Sequence, residues 1–450
     1  MPKEISNNEP RNYAGTKDWF GSDVEQRKFI TDTATQVFRS FGYQPLETPV
    51  IELEDTLKGK YGDEGGQTMY LFRKGGEDIG LRYDQTVPLA RVAAQYSNEL
   101  TFPYYRYAIG PVFRADKPQA GRFRQFTQID FDVLGVDNTS ADAEVVTMLY
   151  KITEKLGFKD FTIMVSDRSL LTGMAEAVGA KTEEQYKTAM RGWDKLEKVG
   201  LDQVGIEVED VGLDKNIYTN LTNKLLELTG TNDEILDSLE SLFVDNESAQ
   251  KGISRLRQIA QATKLMQVPD NRWRISPTLA RGLDYYTGPI FEVQAGKGVG
   301  SIAGGGRYDN LIKALGGPSI TGTGASFGLE RVAAVMNQLE IRPLKESEVD
   351  AFVTVFNENC LAGSLEVATI LREAGLSVEV DKSGDKLKKQ FLLADRRNAR
   401  YALVIGPDEL ANGEVTIKYL DKARGGSKEN QETIDIKDLV EKINSRQLTI

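Results

Sequence analysis

Histidine is missing from all 450 residues, and every mechanism that needs an imidazole from the protein goes with it. There can be no Ser-His-Asp triad, no imidazole general base and no histidine-ligated metal. Cysteine is nearly missing as well: the lone Cys360 excludes an internal disulfide and a cysteine-built zinc site, and suits a reducing compartment. No apolar run approaches the roughly 20 residues of a membrane helix. The opening stretch MPKEISNNEPRNYAG has neither a signal-peptide core nor an Arg-rich presequence, so a cytoplasmic location without membrane attachment is expected. Any chemistry must run on carboxylates, Arg, Lys, Tyr, backbone groups or Mg²⁺.

What is present is ordinary globular material, 40% hydrophobic and 27% charged, in a chain longer than one hydrophobic core usually serves. The net charge of −11 argues against coating nucleic acid by charge alone. One stretch differs: Asp381 to Arg400 carries four Lys and three Arg against three Asp, a basic patch that could equally be a solvated helix face.

Ser22 with Glu25 forms a capping-box pattern, and Val24, Phe29, Ile30, Ala34, Val37, Phe38 and Phe41 then recur at helical spacing up to Gly42. Pro45 and Pro49 in YQPLETPVIEL forbid helix and suggest an edge-like strand. Short strands and turns are expected from Met69 to about Val136. A strand near 161–167 leads into a helical stretch, about 170–265, that reads as an insertion. Strand signals return with YYTGPIFEVQA, and ASFGLERVAAVM reads as strand into helix. The polar, Pro-containing RPLKESEVD is a plausible linker, after which AFVTVF, SLEVATILREAG, SVEVD, KLKKQFLLADRRNA and YALVIG alternate as βαβαβ.

Two glycine-rich spots invite a nucleotide-loop reading and fail it. Gly296-Lys297 lacks the rest of a P-loop, and Gly298, Gly300 and Ala303 have no helix pattern behind them. More telling are arginines set among aromatic and glycine-rich strands, in FRADKPQAGRFRQFTQIDFDVLG, RGLDYYTG, GGGRYD and GLER. A buried arginine needs an anionic partner, either a protein carboxylate or a phosphate-rich ligand, and four such clusters favour the ligand.

These strings resemble the signature segments of class II aminoacyl-tRNA synthetases, and the pair RGLDYY and GGGRYD resembles the histidyl family in particular. GTKD, Gly15 to Asp18, is similar to that family's N-terminal segment. GYQPLETP resembles motif 1, the dimer-forming element; FRADKPQAGRFRQFTQ resembles motif 2 and GASFGLER motif 3. DKSGDKLKKQFLLADRRNARYALVIG resembles the anticodon-binding domain of the histidyl, prolyl, threonyl and glycyl enzymes. The resemblance implies an α+β catalytic domain over 1–345, an antiparallel sheet with flanking helices and a helical insertion at about 170–265. An α/β anticodon-binding domain follows over 346–450, and the whole is expected as a homodimer.

It also implies activation of histidine by ATP, with Mg²⁺, and transfer to tRNA-His. The substrate carboxylate is itself the nucleophile, so no protein base is required and a histidine-free chain suffices. By resemblance Arg114 holds the α-phosphate and carboxylate, Arg331 the γ-phosphate, and Arg281 adds a further catalytic cation. Asp116 and Arg122 contact ATP, and Phe126 offers adenine an aromatic face. The histidine ammonium falls to Asp84, Thr86 and Gln128 and the imidazole to Asp132 and Tyr286, with Tyr285 also among the histidine-binding residues. Gln119 approaches the acceptor end of tRNA, while Lys386, Lys388, Lys389 and Arg396 face the anticodon side; no side-chain metal site is implied. GGGRYD could also serve as a tight turn.

The pattern has departures: Thr127 and Ala115 stand where many members carry histidine, and Asp132 is a shorter stand-in for a pocket glutamate. A non-catalytic alternative, the synthetase-like regulatory subunit of ATP phosphoribosyltransferase, usually lacks the C-terminal domain. A chain without histidine can also be made without consuming the amino acid it is expected to load.

Overall fold

The computed structural model describes residues 10–58, 68–117, 121–280, 285–296, 300–341 and 349–420, together with 431–447. Two compact units result, Glu25–Arg342 with Met1–Trp19, and Pro343–Ile450 with Phe20–Val24.

The first unit is built on an eight-stranded sheet. Its strands are β1 (Gln44–Pro45), β5 (Tyr104–Phe113), β6 (Gln125–Leu134), β7 (Phe161–Asp167), β8 (Trp273–Ile275), β9 (Pro289–Ala295), β10 (Ser301–Arg307) and β11 (Gly322–Gly328), in the spatial order β1-β5-β6-β11-β10-β9-β7-β8. The central pairings are antiparallel; the short outer strands β1 and β8 add on parallel. A separate three-stranded sheet joins β2 (Ile51–Leu53), β4 (Glu77–Leu81) and β3 (Leu71–Lys74).

Alternation along the strands decides what each face of the large sheet does. On one face Tyr107, Ile129, Phe131, Val133, Ala303, Ala325 and Phe327 are buried. Phe38 of the helix Ser22–Ser40 lies 5.1 Å from the Tyr107 ring and 5.3 Å from Phe131, and the helix Ser140–Lys155 adds Val145, Val146, Leu149 and Ile152 to the same core. The residues between them, Arg106, Asp130, Asp132, Gly304, Gly306, Gly324 and Ser326, face the other way.

Several sequence expectations are corrected. Ser22 opens its helix instead of capping it. The stretch 69–136, expected to hold short strands and turns, contains the helix Thr86–Gln95 and two ten-residue strands. Pro88, third in that helix, costs no internal hydrogen bond because first-turn amides have no intrahelical partner. GGGR is strand and not turn. A Cβ on Gly305 would run into the Gly324 carbonyl and Ala325, and one on Gly306 would come within 2.9 Å of the Tyr286 ring. These glycines permit close approach, not chain reversal.

Helices Arg168–Ala177, Glu183–Asp210, Lys215–Leu226, Asn232–Leu242 and Glu247–Leu265 lie between β7 and β8. Capping boxes at Thr182/Gln185 and Thr231/Glu234 start two of them.

The second unit carries a five-stranded sheet ordered β13-β12-β14-β15-β16, from β12 (Ala351–Val353), β13 (Val378–Val380), β14 (Tyr401–Val404), β15 (Glu414–Tyr419) and β16 (Gln431–Asp435). β12 pairs in parallel with β13 and β14, as the βαβαβ reading requires, and β15 and β16 extend the sheet antiparallel.

Candidate active site

The polar face of the large sheet carries a recess lined by Thr86, Asp132, Tyr286, Tyr308 and Ser326, with Gly304 and Gly324 among its walls. Glycine is needed beside the charge: a Cβ on Gly324 would strike the Asp132 carboxylate. Tyr308 donates its hydroxyl to Asp132 Oδ1 at 2.5 Å. Burial, then the charges of Asp84, Asp132 and Asp130, hold the Tyr286 hydroxyl protonated, above its usual range.

Of the predicted histidine-binding residues Thr86, Asp132 and Tyr286 line this recess, Asp84 and Tyr285 are linked to it through Thr86, and Gln128 lies four positions from Asp132 on β6. Asp84 is buried and caps the helix Thr86–Gln95: its Oδ1 accepts the Thr86 and Val87 amides at 3.1 and 3.0 Å, and its Oδ2 accepts the Tyr285 hydroxyl at 3.2 Å. Tyr285 thus braces Asp84, while Tyr286 reaches the recess. Gln128 has a buried Oε1 with no hydrogen-bond donor among the described residues, and its carbonyl is taken by Gln85 Nε2 at 3.0 Å.

Further along β6 the surroundings become cationic and aromatic. Arg114, just past β5, lies with its guanidinium centre 4.2 Å over the Tyr83 ring and 5.3 Å over Phe126, and its Nε donates to the Tyr83 carbonyl at 3.1 Å. It has no ion-pair partner among the described residues. Arg331, in the helix Leu329–Gln338, donates from Nε to the Ser301 carbonyl at 3.3 Å. Burial and then the positive charge of Arg122 pull its pKa down, the electrostatic mark of cations gathered close together. The Asp116 carbonyl is held by Arg124 Nε at 3.2 Å. Arg281 and Gln119 lie outside the described residues.

Arg307, counted above among the clusters that favour a phosphate ligand, is corrected by the structure. Its Nη2 lies 2.7 Å from Asp142 Oδ2, Nε also reaches both carboxylate oxygens, and Nη1 sits 3.5 Å from Asp309. GGGRYD therefore spends its cation on an internal pair and contributes Tyr308 and the narrow glycines to the recess.

Sequence reading missed other residues. Arg124 holds the segment 14–15 against motif 2, donating its amide to the Gly15 carbonyl and Nη1 to that of Ala14. Glu330, buried, accepts the Thr127 amide on both oxygens and the Arg27 guanidinium at 2.8 Å, while Arg27 Nη2 meets Thr127 Oγ1 at 3.0 Å. Arg106 is 0% exposed and 2.7 Å from Asp132. Its signal was a lone arginine in a strand, with the partner 26 positions away.

In the second unit Lys386, Lys388, Lys389 and Arg396 are all exposed on or beside the helix Leu387–Arg396. Lys389 pairs with Asp385 at 2.9 Å. Among the described residues no three Asp, Glu or Cys side chains gather as a metal cage, and no helix is long and apolar enough to cross a membrane.

Comparison with known proteins agrees across both units. The family model described as histidyl-tRNA synthetase matches residues 15–332, and that described as an anticodon binding domain matches 350–446. The histidine–tRNA ligase of Cytophaga hutchinsonii is 36% identical over 431 residues, 90% of this chain and 94% of that one. That of Rhodopirellula baltica is 38% identical over 416 residues, covering 92% and 93%. The crystal structure of histidyl-tRNA synthetase from Nostoc sp. PCC 7120 superposes with a TM-score of 0.84 at 31% identity, covering 97% of this chain and 99% of that one.

Proposed function

Since this chain belongs to the histidyl-tRNA synthetase family, we propose that it activates histidine with ATP and transfers it to tRNA-His, as a histidine–tRNA ligase. The observation that carries the reading is a single line of side chains. Asp132, Gln128 and Phe126, with Asp130 between the first two, fall on every second position of β6 and so share one face. Over seven residues, about 20 Å of strand, the surface passes from a polar recess, through an acceptor with no donor among the described residues, to an aromatic ring under an arginine. That is the order of imidazole, ammonium and carboxylate, and adenylate in a histidyl-adenylate laid along the strand.

In this reading Asp132 and Tyr286 meet the imidazole, and Gln128 with Thr86 receives the ammonium. Asp84 acts from behind by fixing the start of Thr86's helix and the place of Tyr285. Arg114 neutralises the α-phosphate and the attacking carboxylate, with Phe126 and Tyr83 holding its plane. Arg331, Arg122 and Asp116 serve the remaining phosphates of ATP, where Mg²⁺ would arrive bound, and Arg281 supplies the further cation expected by resemblance. Because the nucleophile is already anionic, alignment and charge neutralisation are the protein's tasks. We assign 1–345 as the catalytic domain with its insertion at about 170–265, and 346–450 as the tRNA anticodon-binding domain. There Lys386, Lys388, Lys389 and Arg396 offer cations to the backbone, and Gln119 the acceptor-end contact. A cytoplasmic homodimer completes the proposal.

Pyrophosphate exchange measured with each of the twenty amino acids tests it: exchange confined to histidine is expected, and exchange with another amino acid, or none, would overturn it. The non-catalytic regulatory reading makes the second outcome its own prediction; the match of the C-terminal unit to an anticodon-binding domain counts against it.

A further inference from the structure

Asp132 shares its cation. Across β5 and β6, Arg106 stands opposite Asp132 and Ala108 opposite Asp130; across β6 and β11, Gly324 stands opposite Asp132 and Ser326 opposite Asp130. Arg106, Asp130, Asp132 and Ser326 therefore project from the same face. Arg106 Nη2 lies 2.7 Å from Asp132 Oδ2 and donates to the Gln85 carbonyl at 3.1 Å, while Nε and Nη1 have no hydrogen-bond acceptor among the described residues. Asp130 takes the Ser326 hydroxyl at 2.5 Å. Asp130 and Asp132 share this face with Arg106, while Arg82, also buried, is a second guanidinium acting on Asp130.

We propose that Arg106 is a positioning residue for ring recognition, holding the Asp132 carboxylate ionised and aimed to accept an imidazole N–H, and that Asp130 competes for the same cation. The inference rests on the recess being the histidine pocket. A buried carboxylate left to itself takes up a proton and stops accepting. Burial pushes Asp132 upward, and Arg106 is the chief force opposing it, followed by the Tyr308 hydroxyl. At Asp130 burial prevails over Arg106, and with the charge of Asp132 it pushes the group up to about 7. The other groups facing Asp130 are Arg82, Asp84, Tyr286 and the Ser326 hydroxyl. Below that point Asp130 is neutral and Arg106 serves Asp132 alone; above it the two carboxylates divide the cation and the grip on Asp132 loosens.

The test uses the full-length chain, with Arg106→Met, Arg106→Lys and Asp130→Asn, in pyrophosphate exchange with histidine and ATP varied separately. Wild type inactive with histidine would overturn the underlying reading, whatever the variants do. With wild type active, Arg106→Met is expected to raise KM for histidine by roughly a hundredfold, the scale of stranding one partner of a buried charge pair. KM for ATP should stay within a factor of about two, and Arg106→Lys should recover most of the loss. Equal damage to both substrates, or no recovery with Lys, would make Arg106 merely structural and overturn the assignment.

If circular dichroism shows that Arg106→Met does not fold, Asp130→Asn decides. With a triazole isostere of histidine, whose ring does not titrate near neutrality, the wild-type KM should rise several-fold between about pH 6 and 8 and stay flat in Asp130→Asn. The same profile in both proteins would overturn the sharing of Arg106.

Discussion

The two faces of β5, β6, β10 and β11 are made by alternate residues of the same strands and do opposite things. One is apolar and packs on Phe38 and the helix Ser140–Lys155. The other holds Arg106, Asp130, Asp132 and Ser326 with glycines between them. A strand can thus carry core and site at once, provided the charges on the site face are held by one another and space beside them is cleared by removing side chains.

The largest effect on the contrast should come from the apolar face. Phe131→Ala opens a cavity beneath Tyr107 and Phe38 and is expected to cost about 3–5 kcal/mol of stability in urea unfolding, with KM for histidine unchanged where the variant is folded. Arg331→Ala, on the ligand side, should instead forfeit about 2.7–4 kcal/mol of transition-state stabilisation, seen as a fall of roughly a hundredfold or more in exchange kcat, with the urea midpoint little moved. Gly306→Ala lies between these cases: its methyl would crowd the Tyr286 ring, so KM for histidine should rise roughly tenfold at a stability cost of about 1–3 kcal/mol, typical of overpacking.

A further effect is a pH dependence. Asp130 titrates near 7 in the fold and near 4 when unfolded, so the native state binds the extra proton in between. Its contribution to stability is complete below about pH 4 and is lost as pH rises through about 7. Melting temperatures of wild type should therefore fall, relative to Asp130→Asn, between about pH 4 and 7; parallel curves would show that Asp130 does not take up a proton in the fold.

Much of this was legible in the chain itself, and the misses share a cause. The long helix from Ser22 and the alternation of the second unit could be read because hydrophobic period is a local signal. The motif strings named Asp132, Tyr286 and Thr86, which line one recess. The helix Thr86–Gln95 was missed because TVPLARVAAQ mixes β-branched residues with a proline that only its first-turn position makes harmless. Arg307 was misread as a ligand group and Arg106 overlooked for one reason: their partners Asp142 and Asp132 are set by strand register and tertiary packing, which no local window contains. Asp84 shows the same limit in miniature, since a carboxylate two residues before an amide looks alike whether it caps a helix or awaits an ammonium group.

The knot of Arg27, Thr127 and Glu330 has a consequence for how the molecule is made. It joins the first long helix, the strand beneath the site and the last helix of the unit, partners more than 300 residues apart in the case of Arg27 and Glu330. Chain growth at roughly 5–20 residues per second leaves Arg27 and Thr127 waiting for a carboxylate that emerges at least ten seconds or so later. On the ribosome the rear of the site therefore stays open until almost the whole first unit has appeared, and a nascent chain stopped short of Glu330 would hold most of the sheet but not the clasp that closes it.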